Sequence, residues 1–523
     1  MKKLHSLHYW PLFGLLIGLI GYQLTNINLG HFWDESWVYA PAIRSMANAV
    51  PSILPDALQL GLSRGHPLLF QFLGGVWMKI FGLSNASAHS FALVISCSII
   101  AIIYVQFYNW KGLGAAISAS LLIAIQPIFI AQSASLYPEM LMSFGFMLAL
   151  IGYSRNKIGL FVVGLCVAIY SKETAVVFYA SFFLWDVGRI IIGDQGWKCL
   201  IKYGIPLLVL LSHPILLYLY HGWFLYPEHT GYITYELADI KYNLRKIFRF
   251  LFESQNRGWI AYPAMIIAAL SLKLKKFWMN ALLVVLGFCA YKLLIWHWQM
   301  PDVLYPIVML ILCVGFMVFW YFTSRDRKIT SLHHFIGIGY ITIIGFILFS
   351  AMNFYTPRYM LSMVILLGAM VGLIVWNVEQ LPKWSKYVII VGFSIVSLQS
   401  LLSEKSVGEL NLGLYDDLRL QGKMVDWMIE NADRDDIVCS NFVTTNYLIN
   451  EYAGYVNNDN FMICWFPNIC DDCYDAEYII YTKTTDCSGP ETSSLVDYTL
   501  VYADTLGEST VAIYHKPELI PEL

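Results

Sequence analysis

The chain has 523 residues, of which 58% are hydrophobic and only 13% are charged, and its formal net charge is −3. Soluble domains carry about 25% charged residues, so this composition argues against an ordinary soluble protein. The charge is also uneven, with a net of +13 over residues 1–402 and −16 over residues 403–523. This shift predicts an apolar, basic membrane domain over 1–402 and a polar outer domain over 403–523.

Apolar runs near the ~20 residues needed to cross a bilayer recur through the first domain. The first run is interpreted as a span, because no small-residue cleavage site of a signal peptide follows it. The runs predict 13 spans, at 10–25, 88–108, 112–131, 138–153, 158–171, 174–192, 203–220, 259–272, 277–296, 303–322, 332–351, 359–376 and 386–402.

Residues 67–82 are apolar but short, and they contain Gln71 and Lys79. If this segment does not span, the basic residues of the short loops gather on one side, as the positive-inside rule requires. We therefore interpret it as an interfacial helix within the first outer loop. The resulting topology predicts a multi-pass protein of the cell (inner or plasma) membrane, with a cytoplasmic N-terminus and an extracytoplasmic C-terminal domain.

The last 121 residues read as a small α/β domain. A helical pattern runs from Tyr415 to Asn431, with Leu418, Met424, Val425, Met428 and Ile429 on its apolar side. Strand-like runs follow at 437–439, 478–481, 498–502 and 510–514. The predicted fold class is therefore an all-α polytopic membrane domain followed by a small α/β outer domain.

Five cysteines lie in the outer domain. Cys464, Cys470, Cys473 and Cys487 are clustered, whereas Cys439 stands apart. An even cluster in an oxidising compartment favours two disulfides of undefined pairing, and a zinc site or free thiols are the alternatives.

Charged side chains beside lipid are functional candidates, and in this topology a set of them faces outward. Asp34 could act as a general base or hold a metal, or it could be a helix N-terminal charge. Glu139 could likewise have a functional role or be only a helix N-terminal charge. Lys172 could simply form an ion pair with its neighbour Glu173. We assign catalysis to Asp34 and Glu139, and substrate binding to Glu35, Arg64, His66, Lys172, His229 and Arg358.

Cationic side chains suit an anionic ligand. Arg64 and His66 precede the interfacial helix and Arg358 opens a later span, where they could bind phosphate or contact headgroups. The chain has no P-loop, dinucleotide fingerprint or HExxH motif. Chemistry at the outer face would therefore use a substrate that is already activated in the membrane, and lipid-linked phosphates meet this requirement.

Several short motifs, in this order, resemble the GT-C class of integral-membrane glycosyltransferases. The chain is most similar to the bacterial branch related to protein O-mannosyltransferases and lipid A aminoarabinose transferases (glycosyltransferase family 39-like). The motifs are Trp33-Asp34-Glu35, Arg64-Gly65-His66-Pro67, Leu83-Ser84-Asn85-Ala86, Tyr137-Pro138-Glu139, Ser171-Lys172-Glu173-Thr174 and Thr356-Pro357-Arg358-Tyr359.

The resemblance implies inverting transfer of a sugar from a polyprenyl-phosphate carrier to an acceptor at the outer face, with Asp34 as the base. It implies that Glu139 supports the site or a metal, although Asp is the commoner residue there. It places His66 near the lipid phosphate, with Arg64 and Arg358 assisting. By the same resemblance, His229 would correspond to a fourth-loop histidine of the family.

The acceptor could be a glycan, a lipid or a protein, and no nucleic-acid partner is expected. A divalent ion (Mg, Mn or Zn) is compatible with the acids, Asp34 and Glu139 being its candidate ligands. The alternative function is a transporter or flippase of an anionic lipid or lipid-linked sugar. Transporters place ionisable residues near the midplane and often show inverted repeats, whereas the polar residues here lie at the outer ends of spans. A non-catalytic scaffold would explain the outer domain but not the collected charges.

Overall fold

The computed structural model describes residues 6–271, 330–379, 381–403, 406–456, 461–465, 476–482 and 495–517. These residues form a long helical part followed by a small domain with a five-stranded sheet. The predicted fold class is therefore confirmed. The predicted spans 277–296 and 303–322 lie outside the described residues.

Every predicted span within the described residues overlaps a helix. Six of the described helices are long and apolar enough to cross a membrane, which is the pattern of a multi-pass membrane protein. The helices of this part are α1 (Trp10–Leu24), α2 (Ala40–Asn48), α3 (Leu60–Ser63), α4 (Leu69–Phe81), α5 (Asn85–Lys111), α6 (Leu113–Ala124), α7 (Pro127–Gln132), α8 (Pro138–Ser154), α9 (Ile158–Ser171), α10 (Val176–Ile191), α11 (Gly204–His221), α12 (Pro227–Gly231), α13 (Leu237–Phe252), α14 (Gly258–Ser271), α15 (Ser331–Ala351), α16 (Leu361–Asn377) and α17 (Lys383–Ser403).

The predicted span 112–131 is not one helix. Helix α6 ends at Ala124, and α7 begins at Pro127. Gln126 between them has extended backbone (φ −73°, ψ 129°). A proline disfavours helical backbone in the residue before it and has no N–H of its own to donate. The helix is therefore interrupted before Pro127.

Helix α4, which falls in the segment predicted to be interfacial, has only 13 residues. That is well short of the ~20 residues that a span needs. It packs against α2 at two glycines. A Cβ on Gly75 would lie 2.5 Å from the Cβ of Met46, so α2 can approach this closely only because Gly75 has no side chain.

Helices α8 and α9 form an antiparallel pair packed through glycines. A Cβ on Gly145 would lie 2.6 Å from the backbone nitrogen of Ala168, and one on Gly164 would lie 2.5 Å from that of Ala149. Small residues allow helix backbones to approach this closely within membranes. The close packing brings the start of α8, at Glu139, beside the end of α9, next to Lys172.

The C-terminal part contains helices α18 (Gly413–Asn431) and α19 (Phe442–Ile449) and one sheet. Its strands are β1 (Ile437–Ser440), β2 (Met462–Trp465), β3 (Tyr478–Thr482), β4 (Thr499–Leu506) and β5 (Ser509–His515). The strand order is β2-β1-β3-β5-β4, with β1 parallel to β2 and β3, and β5 antiparallel to β3 and β4.

The sequence patterns located α18 and four of these strands. They missed α19 and β2. Ile429, which was predicted on the apolar side of α18, is 42% exposed, whereas Leu418, Met424, Val425 and Met428 are buried. Cys439, which stands apart from the cysteine cluster in sequence, is disulfide-bonded.

The C-terminal part packs directly on the first loop of the membrane part. Phe32 lies in one apolar cluster with Tyr415 and Leu418 of α18. The backbone N–H of His31 donates to the carbonyl of Ala453 at 2.9 Å. These contacts place the segment that leads into α18 beside the loop that carries Asp34.

Candidate active site

The buried guanidinium of Arg358 is bonded to acids from separate segments. Its Nη2 donates to Asp34 Oδ2 at 2.7 Å, and its Nη1 donates to Glu409 Oε1 at 2.7 Å. Its Nε lies 3.4 Å from Glu139 Oε1. Charge-assisted hydrogen bonds of this kind are among the stronger ones in proteins. Three predicted site residues, Asp34, Glu139 and Arg358, are therefore in one cluster.

Local sequence explains how these side chains are presented. Pro138 and Pro357 each occupy the first turn of a helical segment, where the missing N–H is not needed. Glu139 and Arg358 follow them directly. Asp34 comes after Trp33, whose φ of 44° lies in the left-handed region. A non-glycine residue in that region stores strain, commonly at functional sites.

Glu139 has a second cationic partner, Lys172. The Lys172 ammonium lies 2.7 Å from Glu139 Oε1 and 3.8 Å from the centre of the Tyr359 ring. Glu139 therefore does more than occupy a helix N-terminus. The interpretation of Lys172 and Glu173 as an ion pair was wrong, because Lys172 bonds to Glu139 and Glu173 bonds to His66.

Glu409 was not among the predicted site residues. It accepts hydrogen bonds from Arg358 and, at 2.8 Å, from the Tyr137 hydroxyl. Burial raises the pKa of Glu409 to about 7, with Asp34 and Glu139 adding to the effect against the opposing pull of Arg358. The residue lies in the acidic C-terminal part, and no motif marks it, so only its contacts identify it.

Asp34 is the most accessible acid of the cluster. Its side chain is 21% exposed, whereas those of Arg358 and Lys172 are 3% exposed and that of Glu139 is fully buried. Oδ1 of Asp34 has no hydrogen bond to the residues that the structure describes. Arg358 thus holds one oxygen of the Asp34 carboxylate, and the other oxygen is available to a ligand.

A second group, formed by the predicted site residues His66 and His229 together with Glu173, lies beside the first on the same surface. His66 Nδ1 is 2.8 Å from Glu173 Oε2, and the His66 and His229 rings lie 4.8 Å apart, centre to centre. Burial, together with the neighbouring His66, lowers the pKa of His229 to about 4. These three side chains could also hold a metal ion.

Arg64 lies beside this group and is partly exposed. It adopts a φ of 47°, its guanidinium is 5.2 Å from the centre of the Trp37 ring, and it pairs with Glu228 at 2.8 Å. The Arg64 guanidinium also interacts electrostatically with the Asp34 carboxylate. Arg64 is thus the predicted site cation that combines exposure with a position near the Asp34 carboxylate.

The two groups are continuous. Asp34 contacts Arg358, which neighbours Glu139, which binds Lys172, and Lys172 is adjacent in sequence to Glu173, the partner of His66. The site thus combines an accessible acid with nearby cations. This combination suits removal of a proton at one end and neutralisation of a phosphate at the other.

Glu35 lies away from this surface. Its side chain is buried between His31 and His89, at 3.2 and 3.3 Å, and accepts the N–H of Leu136. This position favours a supporting role over the predicted contact with substrate.

Asp34 and Glu139 were also candidate metal ligands. In the described residues they bind Arg358 and Lys172, and neither belongs to a group of His, Cys, Asp and Glu atoms close enough to share an ion. The donor set around them therefore fits cationic side chains rather than a divalent ion.

The chain matches no family model and no curated protein. The solved structures that are similar to this chain include two of ArnT. The crystal structure of ArnT from Cupriavidus metallidurans bound to undecaprenyl phosphate is 11% identical, with a TM-score of 0.49, covering 96% of this chain and 97% of that one. The apo structure of ArnT is 11% identical, with a TM-score of 0.44, covering 96% and 98%.

Proposed function

We propose that this protein transfers a sugar from a polyprenyl-phosphate carrier to an acceptor at the outer face of the membrane. The observation that carries the proposal is the placement of Asp34. One of its oxygens is held by the buried Arg358, the other is accessible, and Arg64 and His66 lie on the same surface. An acid and nearby cations are what displacement of a phosphate leaving group requires.

In the proposed reaction, Asp34 accepts the proton of the acceptor hydroxyl or amine as that group attacks the anomeric carbon. The bond between this carbon and the phosphate oxygen breaks, and the polyprenyl phosphate leaves with the electron pair. A single displacement of this kind inverts the anomeric configuration. Arg64 and His66 would stabilise the charge that develops on the phosphate.

The hydrogen bond from Arg358 supports the orientation of Asp34. General-base catalysis depends on the base lying within hydrogen-bond reach of the proton it removes. Because Arg358 is buried and also bonded to Glu409, its position depends on the C-terminal part. We propose that the segment before α18 completes the site in this way.

The test compares Asp34→Asn with Asp56→Asn, an exposed acid of the same loop that has no ion pair among the described residues. Purified protein in nanodiscs is given undecaprenyl-phosphate-linked sugars and a panel of acceptors. Release of undecaprenyl phosphate and the anomer of the product are measured. We expect a loss of about 10²–10⁴-fold in Asp34→Asn, the usual contribution of a general base, and none in Asp56→Asn.

Full activity in Asp34→Asn would remove the base assignment. A product with retained configuration would exclude the single displacement. The transporter alternative makes a different prediction, since a flippase moves the intact carrier across the bilayer without releasing free undecaprenyl phosphate. In proteoliposomes, which have an inside and an outside, translocation of intact carrier by the wild-type protein without release of free undecaprenyl phosphate would therefore overturn the proposed function.

A further inference from the structure

Three buried side chains next to the candidate active site point their ligand atoms at one another. They are His31 in the first loop, Glu35 at the start of the short helix Glu35–Tyr39, and His89 on α5. His89 Nε2 lies 3.0 Å from His31 Nδ1 and 3.3 Å from Glu35 Oε1. His31 Nδ1 lies 3.2 Å from Glu35 Oε1.

The tautomer of His89 makes this group unusual. Its Nδ1 lies 2.9 Å from the carbonyl oxygen of Ile27, which can only accept, so Nδ1 carries the hydrogen. In neutral His89 the Nε2 therefore presents a lone pair to the carboxylate of Glu35. At 3.3 Å these two lone pairs repel each other unless a cation or a hydrogen lies between them. The nearest group that can supply a hydrogen is His31 Nδ1, which lies 3.0 Å from His89 Nε2 and 3.2 Å from Glu35 Oε1, and a metal ion bound by all three atoms would take the place of that hydrogen.

The backbone contact of His89 is also the arrangement typical of a metal ligand. A histidine that binds metal through one nitrogen usually donates the other N–H to a carbonyl or a carboxylate, which fixes the ring. Glu35 is held similarly, because the N–H of Leu136 donates to its Oε1 at 2.7 Å.

The triangle has the dimensions of a metal site. Zinc binds imidazole nitrogen and carboxylate oxygen at about 2.0–2.2 Å, so two corners of a zinc tetrahedron are about 3.3–3.5 Å apart. Of the three separations here, 3.3 Å lies at the lower limit of that range, and 3.2 and 3.0 Å lie just below it. Two imidazoles and a carboxylate form a donor set that zinc accepts readily.

We propose that His31, Glu35 and His89 bind a divalent zinc ion. No fourth His, Cys, Asp or Glu atom joins this group in the described residues, so the fourth position is left for water. The ion ties the first loop to α5. It thereby holds the turn in which the strained Trp33 precedes Asp34. The site shares no residue with the cluster around Arg358 and does not depend on the proposed reaction.

Two other groups of the chain could bind zinc, and the test must separate them. One is His66, Glu173 and His229, which is partly exposed. The other is the cysteine cluster at 464–487, in which zinc would have sulfur neighbours at about 2.3 Å rather than nitrogen at about 2.0–2.1 Å.

Untagged full-length protein is loaded with zinc, freed of excess and analysed for zinc per chain by mass spectrometry. The variants are His89→Gln and, as the matched control in the other group, His229→Gln. We expect His89→Gln to hold one equivalent less than the wild type, and His229→Gln to keep that equivalent. Equal zinc in His89→Gln and the wild type would overturn the proposal, as would a His229→Gln protein without zinc.

X-ray absorption at the zinc edge of His229→Gln protein gives a second measurement that does not depend on the folding of His89→Gln. We expect a shell of nitrogen and oxygen at about 2.0–2.2 Å that includes two imidazoles. A shell made of sulfur would place the ion at the cysteines and would refute the site.

Discussion

The replacement Glu409→Gln tests the charge balance of the candidate active site. Three carboxylates, those of Asp34, Glu139 and Glu409, surround two cations, Arg358 and Lys172. One negative charge is in excess, and Glu409, whose pKa is raised to about 7, takes up a proton most readily. Glutamine keeps the shape of the side chain and an oxygen that can accept from Arg358 and Tyr137, but it does not titrate.

The sign of the effect follows from proton binding. Between pH 4.5, the ordinary pKa of the carboxyl, and about pH 7, folded Glu409 keeps a proton that the unfolded chain has lost. The free energy of unfolding therefore falls as the pH rises through this window and levels off above it. Because one pH unit is worth about 1.4 kcal/mol, the whole loss is about 3 kcal/mol.

The assay is the melting temperature of purified protein in detergent at pH 5 and pH 8. We expect the contribution of Glu409 to this difference, a few degrees, to disappear in Glu409→Gln. Glu430→Gln is the control, since Glu430 is an exposed acid of α18 without an ion pair among the described residues. If Glu409→Gln kept the full pH dependence of the wild type, the assignment of the excess proton to Glu409 would be refuted.

Two further predictions concern the helix pair that positions Glu139. Gly164→Ala should destabilise the protein by about 1–3 kcal/mol, because its Cβ would meet the backbone of α8 at 2.5 Å, whereas Gly159→Ala on the same helix has no atom within 4 Å and should be neutral or slightly stabilising in thermal unfolding. Lys172→Met should cost about 3–5 kcal/mol, because it removes the closest cation from the buried Glu139, and the exposed Lys157→Met should cost less than about 1 kcal/mol. Equal melting temperatures within either pair would contradict the packing or the ion pair.

Much of the fold could be predicted because it depends on local composition. Runs of apolar residues specify helices in lipid, where the backbone must satisfy its own hydrogen bonds. Alternation and helical periodicity located α18 and four strands. Helix α19 and β2 were missed because they are short, at eight and four residues, and their patterns are correspondingly weak.

The membrane topology argument assembled Asp34, Glu139, Lys172, His66 and Arg358 as candidates on one side. That step needed only the sequence, because charged side chains are costly in a bilayer and therefore stand out. The structure connects Asp34, Arg358, Glu139 and Lys172 by direct contacts, and His66 pairs with Glu173, the sequence neighbour of Lys172. Sequence patterns could not predict which of these side chains pair. Lys172, for example, pairs with Glu139 and not with its sequence neighbour Glu173.

Partners far apart in the chain meet only when helices pack. Arg358 reaches Asp34 across 324 positions, and Glu409 joins them from the segment before α18. The glycines of α8 and α9 set how closely Glu139 and Lys172 approach. Composition and periodicity thus specified which residues lie in lipid and which charges stand out. The contacts among those charges follow from tertiary packing, since hydrogen bonds depend on distances of a few tenths of an ångström that local sequence does not encode.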